Sequence, residues 1–97
     1  MIEEILRAVA PEEAYFWGTH QGAEVDLVMI KDGRMLGVEC KRVDAPRLTP
    51  SMRVALEDLK LERLAVVYPG HLRYTLADRA EAVPLAAVAD GLAGLFP

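Results

Sequence analysis

The stretch from Glu24 to Lys41 constrains the fold of this chain more than any other. Glu24-Val25-Asp26-Leu27-Val28-Met29-Ile30 and Met35-Leu36-Gly37-Val38-Glu39-Cys40-Lys41 read as strands, and Lys31-Asp32-Gly33-Arg34 stands between them. Asp-Gly between two such runs signals a tight hairpin turn, whose central residues need positive φ. Strand side chains alternate between two faces. Asp26 therefore shares a face with Glu24, Val28 and Ile30, and Glu39 shares one with Lys41. A hairpin would bring one carboxylate from the first strand to a carboxylate and an ammonium from the second. Two close carboxylates can hold a divalent cation through oxygen ligands, which suits Mg²⁺ or Mn²⁺. A lysine beside them can orient a water or stabilise charge developing on a phosphate. The same three residues also fit a salt-bridged surface hairpin, where opposite charges across strands are mildly stabilising.

The rest of the chain supplies partners for that hairpin. Ile2, Ile5, Leu6 and Val9 recur at helical spacing, and Pro11 ends the helix. Ala14 to Thr19 reads as a strand, followed by a His20-Gln21-Gly22 turn. After a loop over Asp44 to Leu48, Thr49-Pro50 is a cap followed by proline at the first helical position. That helix extends to about Lys60, with Met52, Ala55, Leu56 and Leu59 as its apolar stripe. Arg63 to Tyr68 is apolar enough to be buried on both faces, and Pro69-Gly70 stops it. Arg73 to Leu76 reads as a short strand or turn, and Ala80 to Val83 as an edge strand. Pro84 opens a last helix with Leu85, Val88, Leu92 and Phe96 on one side, weakened by Gly91 and Gly94. A helix between Lys41 and Arg63 joins parallel strands by a crossover. The expected class is α/β, with a mixed sheet and flanking helices.

Ninety-seven residues suit a single domain over 1–97, and 53% apolar residues are ample for one core. The net charge of −4 argues against holding nucleic acid by bulk charge, while leaving room for a local basic groove. Cys40 has no second cysteine to pair with, which fits a reducing compartment. No apolar run approaches the ~18–20 residues of a membrane span. Met1-Ile2-Glu3-Glu4 lacks the features of a signal peptide. A cytoplasmic protein is the expectation.

Other candidate residues carry two readings each. Lys41, Arg42, Arg47 and Arg53 form either a phosphate-contacting rim or a charge balance against Asp44, Glu57 and Asp58. Glu24 reads as a solvated strand residue or as a support to a metal site, His20 as a turn residue or a contact to phosphate, and His71 as an exposed loop residue. Tyr15, Phe16 and Trp17 are consecutive, so at least one points away from the core. Trp17 is expected to pack under a helix or at a dimer interface, with stacking on a base or a partner as the alternative. Cys40 falls on the face opposite Glu39 and Lys41 and reads as a small buried apolar residue.

This order of elements resembles the PD-(D/E)XK nuclease superfamily, whose restriction-endonuclease-like core runs αβββαβ. Its motif, an acidic residue on the second strand and Glu-x-Lys on the next, reads here as Asp26 and Glu39-Cys40-Lys41. More narrowly, the chain is similar to the uncharacterised domain at the C-terminus of many prokaryotic AAA-type ATPases. The likeness rests on Phe16-Trp17-Gly18-Thr19-His20-Gln21-Gly22-Ala23-Glu24-Val25-Asp26 and on the strand ending at Tyr68-Pro69-Gly70. It covers roughly Glu3 to Val83. The chain departs from it in having no Gly-x-x-x-x-Gly-Lys-Ser/Thr loop and a shorter first helix. In such ATPase-associated domains that helix carries a further acidic ligand, a place Glu3 or Glu4 would have to take.

The resemblance implies that Asp26, Glu39 and the backbone carbonyl of Cys40 hold the metal, and that Lys41 positions the attacking water. The leading expectation is a metal-dependent nuclease acting on nucleic acid. The alternative is a catalytically silent nuclease-like module that docks on an AAA-type ATPase or pairs as a homodimer. A nuclease must keep Asp26, Glu39 and Lys41 converging on an open, hydrated cleft, whereas a docking module can let them pair and be covered. A purely structural hairpin is the third reading.

Overall fold

The computed structural model describes residues 1–97. Helix α1 (Ile2–Val9) is followed by strands β1 (Glu13–Gly18), β2 (Glu24–Lys31) and β3 (Arg34–Cys40). Then come α2 (Pro50–Asp58), β4 (Arg63–Tyr68), β5 (Tyr74–Ala77) and β6 (Ala80–Pro84). A 3-10 segment (Leu85–Asp90) and α3 (Gly91–Leu95) close the chain. The αβββαβ order is therefore present. One mixed sheet has the order β1-β2-β3-β4-β6-β5. The meander β1–β2–β3 is antiparallel, β3–β4 and β4–β6 are parallel, and β5 closes antiparallel on β6.

Two apolar layers hold the sheet. On one face α1, the 3-10 segment and α3 bury Ile5, Val9, Val88, Leu95 and Phe96 against Leu27, Met29, Val38 and Val67. On the other, α2 buries Met52, Ala55 and Leu56 against Val28, Leu64 and Val66. The alternation of β4 between the two layers explains its uninterrupted apolar sequence. No helix is long and apolar enough to cross a membrane.

The turn chemistry acts as its sequence dictates. Asp32 and Gly33 have φ of 54° and 77°, the paired positive values of a type I′ turn. Lys31 and Arg34 face each other across it. At α2 the Thr49 hydroxyl accepts a hydrogen bond from the Met52 N–H at 3.2 Å, and Pro50 occupies the first turn. Thr49→Ala is expected to lower stability by about 1 kcal/mol in urea unfolding, with an unchanged m-value.

Three features differ from the sequence expectation. Between Tyr15↔Val28 and Trp17↔Val25 the register slips, so β2 carries one extra residue, a bulge at Asp26–Leu27. Strict alternation fails there: Val25 and Val28 both reach the α2 layer, while Leu27 reaches the other. The face that alternation assigns to Asp26, shared with Val28 and Ile30, does not carry across the bulge. Second, β6 is an interior strand, and β5 takes the edge. Third, the last helix is broken at Gly91, whose φ of 63° lies outside helical space. The 3-10 segment precedes this break and a short α-helix follows it.

Candidate functional site

The β2–β3 ladder ends at Leu27↔Val38. Beyond that pair the two strands are joined by side chains. The Asp26 N–H donates to Glu39 Oε1 at 3.0 Å, and the Cys40 N–H donates to Asp26 Oδ2 at 2.9 Å. Each carboxylate thus replaces a backbone acceptor of the opposite strand. The bulge places Asp26 for this exchange, since bulges re-aim a side chain where pairing stops. Lys41 continues from β3, and its backbone N–H donates to Val67 O on β4 at 2.9 Å. Its Nζ lies 3.4 Å from Glu39 Oε2. The structure therefore brings Asp26, Glu39 and Lys41 together.

The electrostatics are uneven. Glu39 is the one buried charged residue, 7% exposed, whereas Asp26 and Lys41 are half-buried. Burial pushes the Glu39 carboxyl above its ordinary range, and the charge of Asp26 adds to this. The Asp26 N–H and the Lys41 ammonium offset part of the rise. Cys40 packs on the other face, against the α1-layer residues, but it is half-buried rather than fully buried as its sequence suggested. Burial and the two neighbouring carboxylates push its thiol up to about 11, so it is no nucleophile at neutral pH.

A hard cation fits this donor set in chemistry. Asp26 Oδ1 has no protein partner, and Glu39 Oε2 has only the Lys41 contact. Mg²⁺ commonly takes one or two carboxylates and keeps several waters. No third His, Cys, Asp or Glu joins the pair in a metal-holding group. Glu3 is exposed, and Glu4 is ion-paired to the Met1 amino group at 2.9 Å.

The site lies at the carboxyl ends of the parallel strands, where crevices form in open α/β sheets. A groove of about 410 Å³ is lined by Cys40 at the end of β3, Lys41 and Arg42 beyond it, Pro69 after β4 and Leu85 after β6, with Met1. A second, of about 290 Å³, runs past Lys41, Val43, Pro46 and Arg47. Lys41 borders both, while Asp26 and Glu39 line neither. Arg42 and Arg47 are exposed and unpaired at these grooves. Arg53, grouped with them by sequence, instead lines a separate cavity with Glu57, Asp78 and Arg79. Charge balance against Asp44, Glu57 and Asp58 does not form as ion pairs. Glu24, His20 and His71 are exposed, as read.

Two tyrosines that the sequence did not single out set the loops around Lys41. The Tyr74 hydroxyl donates to Pro46 O at 2.8 Å, tying down the loop after β3. The Tyr68 hydroxyl donates to Leu72 O at 2.5 Å and orders the loop after β4. The two rings meet edge to face with centroids 6.0 Å apart. Leu72 lies four residues beyond Tyr68, whereas Pro46 is twenty-eight residues from Tyr74, so no local pattern marks the second contact.

Comparison with known proteins gives a family without an assigned activity. The profile of the family described as "Domain of unknown function (DUF4143)" matches residues 1–88. The uncharacterized protein Rv2008c of Mycobacterium tuberculosis is 46% identical over 84 residues. The uncharacterized protein Mb2031c of Mycobacterium bovis gives the same identity over the same length. Each match covers 87% of this chain but 19% of the relative, so the chain spans about a fifth of the length of these proteins. No solved structure matches.

Proposed function

We propose that this chain, which belongs to the DUF4143 family, is a PD-(D/E)XK-type nuclease domain that hydrolyses phosphodiesters of nucleic acid with Mg²⁺ or Mn²⁺. The observation that carries the reading is the side-chain clasp that ends the β2–β3 ladder. Two carboxylates and a lysine that are separate in sequence are drawn together there, at the carboxyl end of a parallel strand. Asp26 and Glu39 would hold the ion, with the Cys40 carbonyl as the further oxygen that the superfamily resemblance implies. The bound ion supplies charge neutralisation and polarisation of the scissile phosphate. Lys41, anchored through its backbone to β4, directs its ammonium toward Glu39 and orients the attacking water. Arg42 and Arg47 contact flanking phosphates from the two grooves. The free thiol of Cys40 suits a cytoplasmic setting.

One observation favours a second reading. Glu39 is covered and shares its charge with Lys41, the pairing a silent module would keep. Such a domain would serve as a docking element within a longer protein, an AAA-type ATPase in the narrower resemblance.

The test is cleavage of single-stranded, duplex and branched nucleic acids with Mg²⁺ or Mn²⁺, beside Asp26→Ala and Lys41→Ala. The expected result is cleavage by the wild type and loss in both variants. Folded wild-type protein that cuts none of the substrates would shift the assignment to the docking module.

A further inference from the structure

The sheet has two free edges, and they are built differently. β5 is four residues long. β1 is six residues long, reads Glu-Ala-Tyr-Phe-Trp-Gly and contains no Lys, Arg or Pro. Charged side chains (lysine above all), prolines, bulges and short length are the usual devices that stop an edge from pairing with another chain. β1 lacks cations and prolines; its single charge is Glu13 at its start, and the bulge in its ladder lies on β2 rather than on the free edge. Its outer backbone N–H and C=O groups are unpaired by any strand of this chain. Phe16 is 61% exposed and Tyr15 39%. Trp17 leans against the α2 layer and is only partly covered.

We infer that β1 is the interface of a two-fold dimer, pairing antiparallel with the β1 strand of a second copy of this chain. The sequence of the strand is self-complementary in that one sense. Antiparallel pairing centred on Phe16 sets Phe16 opposite its counterpart and Tyr15 opposite Trp17, so each exposed aromatic meets an aromatic. It sets Glu13 opposite Thr19, the residue just past the strand end, so the acidic start of each strand meets an end free of carboxylates. A parallel in-register pairing would align Glu13 with its own counterpart, and like charges directly opposite are destabilising. The two-fold arrangement is also the commonest closed form for a homo-oligomer. This inference does not rest on the nuclease reading.

Sedimentation velocity and light scattering at tens of micromolar protein test it. The wild type is expected to be a dimer. Phe16→Glu puts two carboxylates on the two-fold axis and is expected to raise the dimer dissociation constant at least about tenfold. Tyr15→Glu is expected to act in the same direction. Leu72→Glu, at a residue 72% exposed and far from β1 in the sheet order, is expected to leave association unchanged. Far-UV circular dichroism checks that each variant is folded. A monomeric wild type, or a dimer indifferent to both β1 substitutions, would overturn the inference.

Discussion

Glu39→Gln is expected to yield a protein that cuts nucleic acid at least about a hundredfold more slowly than the wild type and yet resists urea better at pH 7.5. The amide keeps the shape of the side chain and an oxygen to accept the Asp26 N–H. It loses the charge that a cation requires. In the folded chain burial, with the charge of Asp26, holds the Glu39 carboxyl above its ordinary value of 4.5. A raised carboxyl means that the folded state binds its proton more tightly than the unfolded state does. As pH climbs through 4.5 toward the raised value, the wild type loses stability that glutamine, which does not titrate, retains. The advantage of Glu39→Gln should therefore open with rising pH and vanish below about 4.5. Urea midpoints in chelator-treated buffer from pH 4 to 8 measure it. A variant weaker than the wild type at neutral pH would mean that the Lys41 ion pair outweighs the burial cost, which favours the docking module. A functional carboxylate held at the expense of stability is the pattern expected of an active site.

Gly91→Val is expected to cost about 2–4 kcal/mol, seen as a large fall in the thermal and urea midpoints. Gly91 sits at φ 63° and ψ −137°, a conformation that side chains avoid. A Cβ placed there would lie 2.7 Å from the backbone oxygen of Ala8 on α1. Backbone cannot step aside as a flexible side chain can. α3 carries Leu95 and leads to Phe96, both seated in the α1 layer. Pushing it outward opens that layer. Arg73 adds a tie by donating to Gly94 O, and Arg63 Nη1 reaches Pro97 O at 3.2 Å. Ala93→Val, at an exposed position of the same helix, is the control and should cost under about 1 kcal/mol.

Much of this architecture was legible before any coordinates. The Asp32-Gly33 turn, the Thr49-Pro50 start of α2 and the limits of α1 and β4 are written in local chemistry, and local chemistry decided them. That Asp26, Glu39 and Lys41 come together was legible too, from the hairpin and the family motif rather than from alternation, which fails at Asp26. The detailed form of the site was not. The bulge at Asp26–Leu27 depends on how β1 meets β2, a long-range register that no window of sequence contains. The place of β6 between β4 and β5 had the same origin. Ala80 to Pro84 is short and only moderately apolar, which suits an edge, but its parallel pairing with buried β4 gives it an interior position. The division of Arg53 from Arg42 and Arg47 followed from the path of the loop, which Tyr74 fixes by reaching Pro46.

The pairing of Trp17 with Val25 gives this protein an intrinsic optical probe. Trp17 is the chain's single tryptophan, and Val25, its partner across the bulged ladder, is the residue immediately before Asp26. Indole emission is sensitive to the polarity and rigidity of its surroundings. Fluorescence excited at the indole band therefore comes from one known position beside the carboxylate clasp. Ion titration and strand exchange at the β1 edge can both be followed from it with no attached dye.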